Sequence, residues 1–125
     1  MLTAERNKLV TQVGPGTPMG EYLRRYWFPI GGASEFDTKD VKPVRFYGED
    51  LTLYKDLSGT FGLVDRHCPH RRADLSYGFV EETGLRCNYH GWQFNEKGDC
   101  VAQPYEDTAN PKNPLRDKCK LKAYP

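Results

Sequence analysis

Apolar and polar residues alternate in short bursts along this chain, and glycine, proline or charged turn residues bound each burst. Val44-Arg45-Phe46-Tyr47 and Leu51-Thr52-Leu53-Tyr54 predict two strands, with Gly48-Glu49-Asp50 as turn material between them. Ser58-Gly59 marks another turn before a strand at Phe61-Gly62-Leu63-Val64. Gly78 to Glu81 and Gly84 to Arg86 predict a hairpin turning near Glu82-Thr83, and Gln93 to Asn95 with Cys100 to Ala102 predict another around Glu96-Lys97-Gly98-Asp99. Leu121 to Tyr124 reads as one more strand, and residues 104–114, with three Pro and two Asn, read as an irregular crossing. Ahead of the strands, residues 1–16 read as a polar lead-in that ends in the structure-breaking run Val13-Gly14-Pro15-Gly16. Thr17 fits an N-cap with Pro18 at the first helical position. A short helix from Pro18 to about Tyr26 brings Tyr22, Leu23, Tyr26 and Trp27 near one face before Pro29 stops it. That face either packs the helix down or docks a second domain or subunit. The pattern predicts an all-β fold of short antiparallel strands in stacked sheets, with one short N-terminal helix.

Length and charge narrow the class. At 125 residues the chain is one domain by length, and a chain of this size removes roughly two-thirds of its unfolded surface from water. Eighteen basic against 17 acidic residues leave a net charge of +1, which makes no case for a nucleic-acid binder. No apolar run approaches the roughly 20 residues that span a bilayer, and the first 13 residues do not read as a signal peptide, so a cytoplasmic location is the default. Four Cys in a chain that is 28% charged argue for a reducing compartment over a disulfide framework. Cys100 and Cys119 are expected to be packing residues, with a disulfide between them as the lesser alternative.

The remaining two Cys carry the candidate chemistry. Cys68-Pro69-His70 forms a C-x-H unit, sixteen residues from Arg71 to Arg86 follow, and Cys87-Asn88-Tyr89-His90 forms a C-x-x-H unit. Two of the three histidines in the chain fall inside this pattern. Two Cys and two His can close a shell around one zinc or divide between two irons of a [2Fe–2S] cluster. In extended backbone, residues i and i+2 point the same way but start about 6–7 Å apart. Chelation of one ion by Cys68 and His70 would pinch that span. Two adjacent metals suit it better, with Cys68 and Cys87 on an inner iron and His70 and His90 on an outer one. His67 directly precedes Cys68 and points to the opposite face, in solvent or beside the ligands.

At these residues the sequence resembles the Rieske iron–sulfur family: both half-motifs, their separation, Gly91-Trp92 after the second His and Arg71 after the first. The resemblance is nearest to the oxygenase branch, the N-terminal part of aromatic-ring-hydroxylating oxygenase α subunits of the phthalate dioxygenase type. Gly14 to Glu21 and Arg24-Arg25-Tyr26-Trp27 resemble the N-terminus of that subgroup. The likeness covers nearly the whole chain, most sharply at 14–30 and 65–95. It implies an all-β Rieske (ISP) domain, stacked antiparallel sheets with a two-loop cluster-binding lobe. Residues 1–29 would be lead-in and helix, 30–125 the [2Fe–2S] domain truncated before its last strand, and about 66–95 the cluster lobe of a larger subunit.

The resemblance also implies a function. Cys68, His70, Cys87 and His90 would hold a Rieske [2Fe–2S] cluster, with no catalytic residue in this chain. Electrons would come one at a time from a ferredoxin or flavin reductase. They would pass to a mononuclear Fe(II) in the catalytic domain of the same or a neighbouring subunit, trimers being common among full subunits of the family. That iron is normally held by two His and a carboxylate, and no histidines remain here beyond His67, His70 and His90. The parent subunit is expected to be a mono- or dioxygenase, since ring dihydroxylation, monohydroxylation and O-demethylation share this front end. No membrane or nucleic-acid partner is implied. A free-standing Rieske-type ferredoxin shuttle and a structural zinc module are the rival readings.

Other residues shape the expectation. Pro69 fixes one backbone angle and Gly91 permits close approach to the cluster, while loop N–H groups are expected on the sulfurs. High-potential members of the family carry Cys where this chain has Ala73 and Tyr89, and Ser where it has Trp92, so an inter-loop disulfide and a hydroxyl donor are both absent. That absence implies a potential at the low end of the Rieske range of roughly −150 to +300 mV. Trp92 and Tyr77 either shield the cluster or simply pack. Arg66, Arg71, Arg72 and Arg86 crowd the ligand loops. They form either a rim neutralised by Asp65, Asp74, Glu81 and Glu82 or a docking surface for an acidic electron donor.

Overall fold

The computed structural model describes all residues, 1–125. Eight strands follow in order: β1 (Val41–Phe46), β2 (Glu49–Lys55), β3 (Phe61–Asp65), β4 (Phe79–Val80), β5 (Leu85–Arg86), β6 (Gln93–Phe94), β7 (Cys100–Ala102) and β8 (Ala123–Tyr124). They make two antiparallel four-stranded sheets, β1-β2-β3-β8 at the base and β4-β5-β6-β7 in the lobe. The expected all-β architecture of short antiparallel strands is the observed one. Burial in β2 (Leu51, Thr52, Leu53 and Tyr54 all buried) reflects a central strand covered on both faces.

Several local expectations are corrected. The β1–β2 turn is Tyr47-Gly48, with φ of 47° and 78°, so Glu49 and Asp50 belong to β2 and not to the turn. Two consecutive positive φ angles match the right-handed twist of the flanking strands. Glu49 is kept in the strand by a job: it accepts hydrogen bonds from Arg24 Nη2 (3.1 Å) and Tyr124 Oη (2.6 Å) and pairs with Lys122. The polar lead-in contains a helix, α1 (Ala4–Thr11), which Thr3 caps by accepting from the Arg6 N–H. Ala33–Asp37 is a 3₁₀ turn ahead of β1. The Thr17-capped, Pro18-initiated helix is present as α2 (Pro18–Leu23), shorter than expected because Arg24 already caps it. The aromatic run after it is largely unburied, with Trp27 82% exposed, while Phe28 packs on Phe46 and Tyr47. A groove of about 450 Å³ lies there, lined by Trp27, Phe28, Phe46 and Tyr124. The crossing at 104–114 opens with a helix, α3 (Pro104–Ala109).

The core runs from the base into the lobe: Tyr54 and Val64 meet Leu75, Leu85, Trp92, Phe94 and Leu121, and the cluster includes Cys68 and Cys87. One buried carboxylate ties the two sheets together. Asp56 accepts from Ser58 Oγ (2.6 Å) and the Thr60 N–H (2.9 Å) in the base and from the Gly84 N–H (2.9 Å) at the β4–β5 turn. Beside it the Leu57 N–H donates to Glu81 O at 3.0 Å. The acidic end of the hairpin is therefore docked on the base, and its other end carries the loops that hold the candidate ligands.

Candidate metal centre

Two turns present the four residues. In the first, the Cys68 N–H donates to Ala73 O (2.9 Å) and the Arg72 N–H donates to Cys68 O (2.9 Å). In the second, the Cys87 N–H donates to Trp92 O (2.8 Å) and the Gly91 N–H donates to Cys87 O (3.1 Å). The closure is the same in both, and the residue four after each Cys is left-handed: Arg72 at φ 60° and Gly91 at φ 76°. The need for Gly91 is this φ, together with Pro104 Cγ 3.2 Å from where a Cβ would stand.

Both turns bury their thiol and lift their imidazole. Cys68 and Cys87 are 1% and 2% exposed and hydrogen-bonded to each other. The His70 and Arg71 N–H groups point at the Cys68 sulfur, and those of Tyr89 and His90 at the Cys87 sulfur. The hydrogen bond from Cys68 holds Cys87 down to about 6 against its burial, and the loop N–H groups add to that. The same hydrogen bond, followed by burial, pushes Cys68 up. Opposite the two sulfurs, the His70 and His90 ring centroids lie 4.6 Å apart. Trp92 stacks on His70 (4.5 Å, 7° between planes) and Tyr89 leans on His90 (3.9 Å). His70 Nδ1 is buried with no hydrogen-bond partner. Such a nitrogen is costly unless something unlike a protein donor satisfies it, and a metal bond does.

The donors are therefore sorted by element, sulfur with sulfur and nitrogen with nitrogen. No three His, Cys, Asp or Glu side chains converge as a single ion requires. The residues fit a bridged pair of irons better than one zinc. His67 bridges to Asp74 through backbone and stands apart from the imidazole pair. Cys100 and Cys119 are free.

The four arginines divide. Arg66 clamps Asp74 (Nη2 to Oδ2 2.7 Å, Nε to Oδ2 2.8 Å) across the base of the first turn. Burial opposes ionisation of Asp74, but the bonds from Arg66 and Ser76 outweigh it and hold the carboxyl at about 2. Arg86 grips Glu81, Gly91 O (3.0 Å) and Gln93 Oε1 (2.9 Å) and so cinches the second turn. Arg71 and Arg72 are exposed and make no ion pair. Of the expected neutralising acids, only Asp74 and Glu81 serve. Asp65 accepts from the Lys122 N–H at 3.2 Å, and Glu82 sits on the base, its carbonyl bonded to the Ser58 N–H at 3.2 Å. Sequence reading missed Glu106, whose Oε2 accepts from Trp92 Nε1 at 3.3 Å; nothing in the sequence connects two residues fourteen apart.

Two like turns on a β lobe, each burying a sulfur beside the other's and each lifting an imidazole, define an iron–sulfur protein with mixed Cys and His ligation. The chain belongs to the Rieske [2Fe-2S] domain family, whose model matches residues 26–125. It is 66% identical over 125 residues to the 5,5'-dehydrodivanillate O-demethylase oxygenase subunit of Sphingobium sp., covering 100% of this chain and 30% of that protein. It is 43% identical over 112 residues to the phthalate 4,5-dioxygenase oxygenase subunit of Pseudomonas putida, covering 88% of this chain and 26% of the relative. Among solved structures, NdmA of Pseudomonas putida CBB5 with caffeine superposes at a TM-score of 0.71 and 32% identity, covering 84% of this chain and 30% of that one. Apo dicamba monooxygenase superposes at 0.69 and 27% identity, covering 82% and 30%. The chain spans less than a third of the length of these relatives. No helix is long and apolar enough to cross a membrane.

Proposed function

We propose that Cys68 and Cys87 on one side and His70 and His90 on the other hold the [2Fe–2S] cluster, and that this chain is the electron-relay part of a non-haem iron oxygenase acting on aromatic compounds. When bound, the cluster takes up and releases a single electron. The protein's own groups set the terms for it. Backbone N–H groups from both turns offset the negative charge on the two sulfurs, and neutral imidazoles in place of two thiolates leave less charge to repel an incoming electron. Trp92 keeps water off one face of His70, while Tyr89, 62% exposed, marks the side from which a partner reaches the imidazoles.

The observation that carries the reading is the sorting of donors, two buried thiols in contact and two imidazoles in contact, with a buried and unpartnered His70 Nδ1 between ligand loop and Trp92. The donor is a ferredoxin or flavin reductase. The acceptor is a mononuclear iron in a catalytic domain of the same or a neighbouring subunit, in line with relatives that are oxygenase subunits of an O-demethylase and a dioxygenase. Domain limits of 1–29 and 30–125, with the lobe at about 66–95, go with this reading. Purified chain should be reddish-brown, and after dithionite it should give the paramagnetic signal of a mixed-ligand cluster. Its midpoint should lie below about +100 mV, for want of a hydroxyl donor at Trp92. A colourless protein holding one zinc per chain would falsify the reading.

A further inference from the structure

We infer that Glu106 is a positioning residue for the metal centre, acting through Trp92 on the plane of the His70 ring. The inference rests on the ligand assignment above and deepens it. A metal-bound imidazole is ordinarily aimed by a hydrogen bond to one of its ring nitrogens. In His70 the buried Nδ1 is the nitrogen left for the metal, and no protein group hydrogen-bonds the ring's other nitrogen, Nε2. What lies flat against the ring is Trp92, 5% exposed and within 7° of parallel. Stacking alone sets the tilt of two rings but leaves the indole free to swivel in its own plane. The one directional bond on the Trp92 indole is Nε1–H to Glu106 Oε2, 3.3 Å.

Glu106 is in turn held in place. It lies in the first turn of α3, and a polar network ties that helix to Gln103, directly after β7, and to Asn113 beyond its far end. Asn113 Nδ2 donates to Gln103 Oε1 (2.7 Å) and to Asp107 Oδ1 (2.9 Å), and the Gln103 N–H donates to Asp107 Oδ2 (2.8 Å). Gln103 is fully buried and Asn113 is 4% exposed, so the bond between them is shielded from competing water, while the two to Asp107 are half-buried. A line of single contacts therefore leads from the network to α3, from Glu106 to Trp92 and from Trp92 to His70. The requirement is for an acceptor at this point, whatever its charge.

The test uses the cluster-loaded chain and four variants: Glu106→Leu, Glu106→Gln, Trp92→Phe and the double Glu106→Leu/Trp92→Phe. Two readouts are taken, the shape of the paramagnetic spectrum after dithionite and the rate of iron loss to a chelator. Glu106→Leu and Trp92→Phe should each alter the spectrum and speed iron loss about fivefold, the scale of one lost hydrogen bond. Glu106→Gln keeps an acceptor and should match the wild type. The double variant should be no worse than the worse single, because both break the same contact. Singles that match the wild type, a Gln variant that behaves like Leu, or single effects that add would each overturn the inference. A wild type without the signal would sink the ligand assignment itself, and the inference with it.

Discussion

Arg72 and Gly91 occupy the same place in two turns of the same closure, yet only one of them is glycine. A left-handed backbone costs a side-chain-bearing residue about 1–2 kcal/mol, and glycine returns about 0.4–1 of that through a freer unfolded chain. Arg72→Gly should therefore stabilise the protein by about 0.5 kcal/mol, read as a small rise in urea midpoint. Gly91→Ala should destabilise it by about 1–2 kcal/mol, because the same φ is then strained and Pro104 stands close. Strain retained at Arg72 marks its guanidinium as useful outside the turn. Asp74 gives a pH signature. Its carboxyl is held at about 2 against an ordinary 3.8, so the stability it lends is complete above about pH 4 and is lost as pH falls through about 2. Asp74→Asn should cost about 1 kcal/mol at pH 7, after allowance for solvent screening. The gap between variant and wild type in urea unfolding should narrow steadily between pH 4 and pH 2.

Among the elements, the two sheets share one core and are also tied by Asp56, which takes two donors from the β2–β3 turn and one from the β4–β5 turn. Asp56→Ala leaves the Thr60 and Gly84 N–H groups without that acceptor, and unfolding should become easier by about 3 kcal/mol in a denaturant titration. The strands of both sheets were legible in the sequence, because alternation and turn residues act locally and β-ladders follow them. The helices were less so. α1 buries no residue, so it has no apolar stripe to announce it, and its only signal is Thr3 as cap. α3 was hidden by its own prolines, although Pro104 at a first helical position followed by Glu106 and Asp107 is a start signal. The four candidate donors were marked out by their spacing and by the family resemblance. Their sorting, sulfur with sulfur and nitrogen with nitrogen, followed from the short C-x-H span; the Trp92 stack and the Glu106 contact were not legible, since these depend on how β5, β6 and α3 pack.

Across the whole molecule, charge is segregated along the lobe. Glu81 and Glu82 lie at the turn that sits on the base, while unpaired Arg71 and Arg72 lie on the turn that carries His70. An acidic donor approaching the imidazoles would meet those two cations first. Arg71→Glu/Arg72→Glu should slow reduction by a pre-reduced acidic [2Fe–2S] ferredoxin about tenfold at low salt and flatten its salt dependence, with the midpoint potential unchanged. Stopped-flow bleaching of the visible band at several ionic strengths reads this directly. Unchanged rates and slopes would remove the two arginines from the encounter.

The twin turns have a use for anyone building rather than reading proteins. Each is a six-residue cassette, Cys68 to Ala73 and Cys87 to Trp92, that closes on its own backbone bonds. A blueprint for a synthetic redox centre on an unrelated β host thus reduces to one closure drawn twice, with histidine third in one copy and fourth in the other, glycine at the fifth position of both, and a neighbouring indole to steady one of the rings.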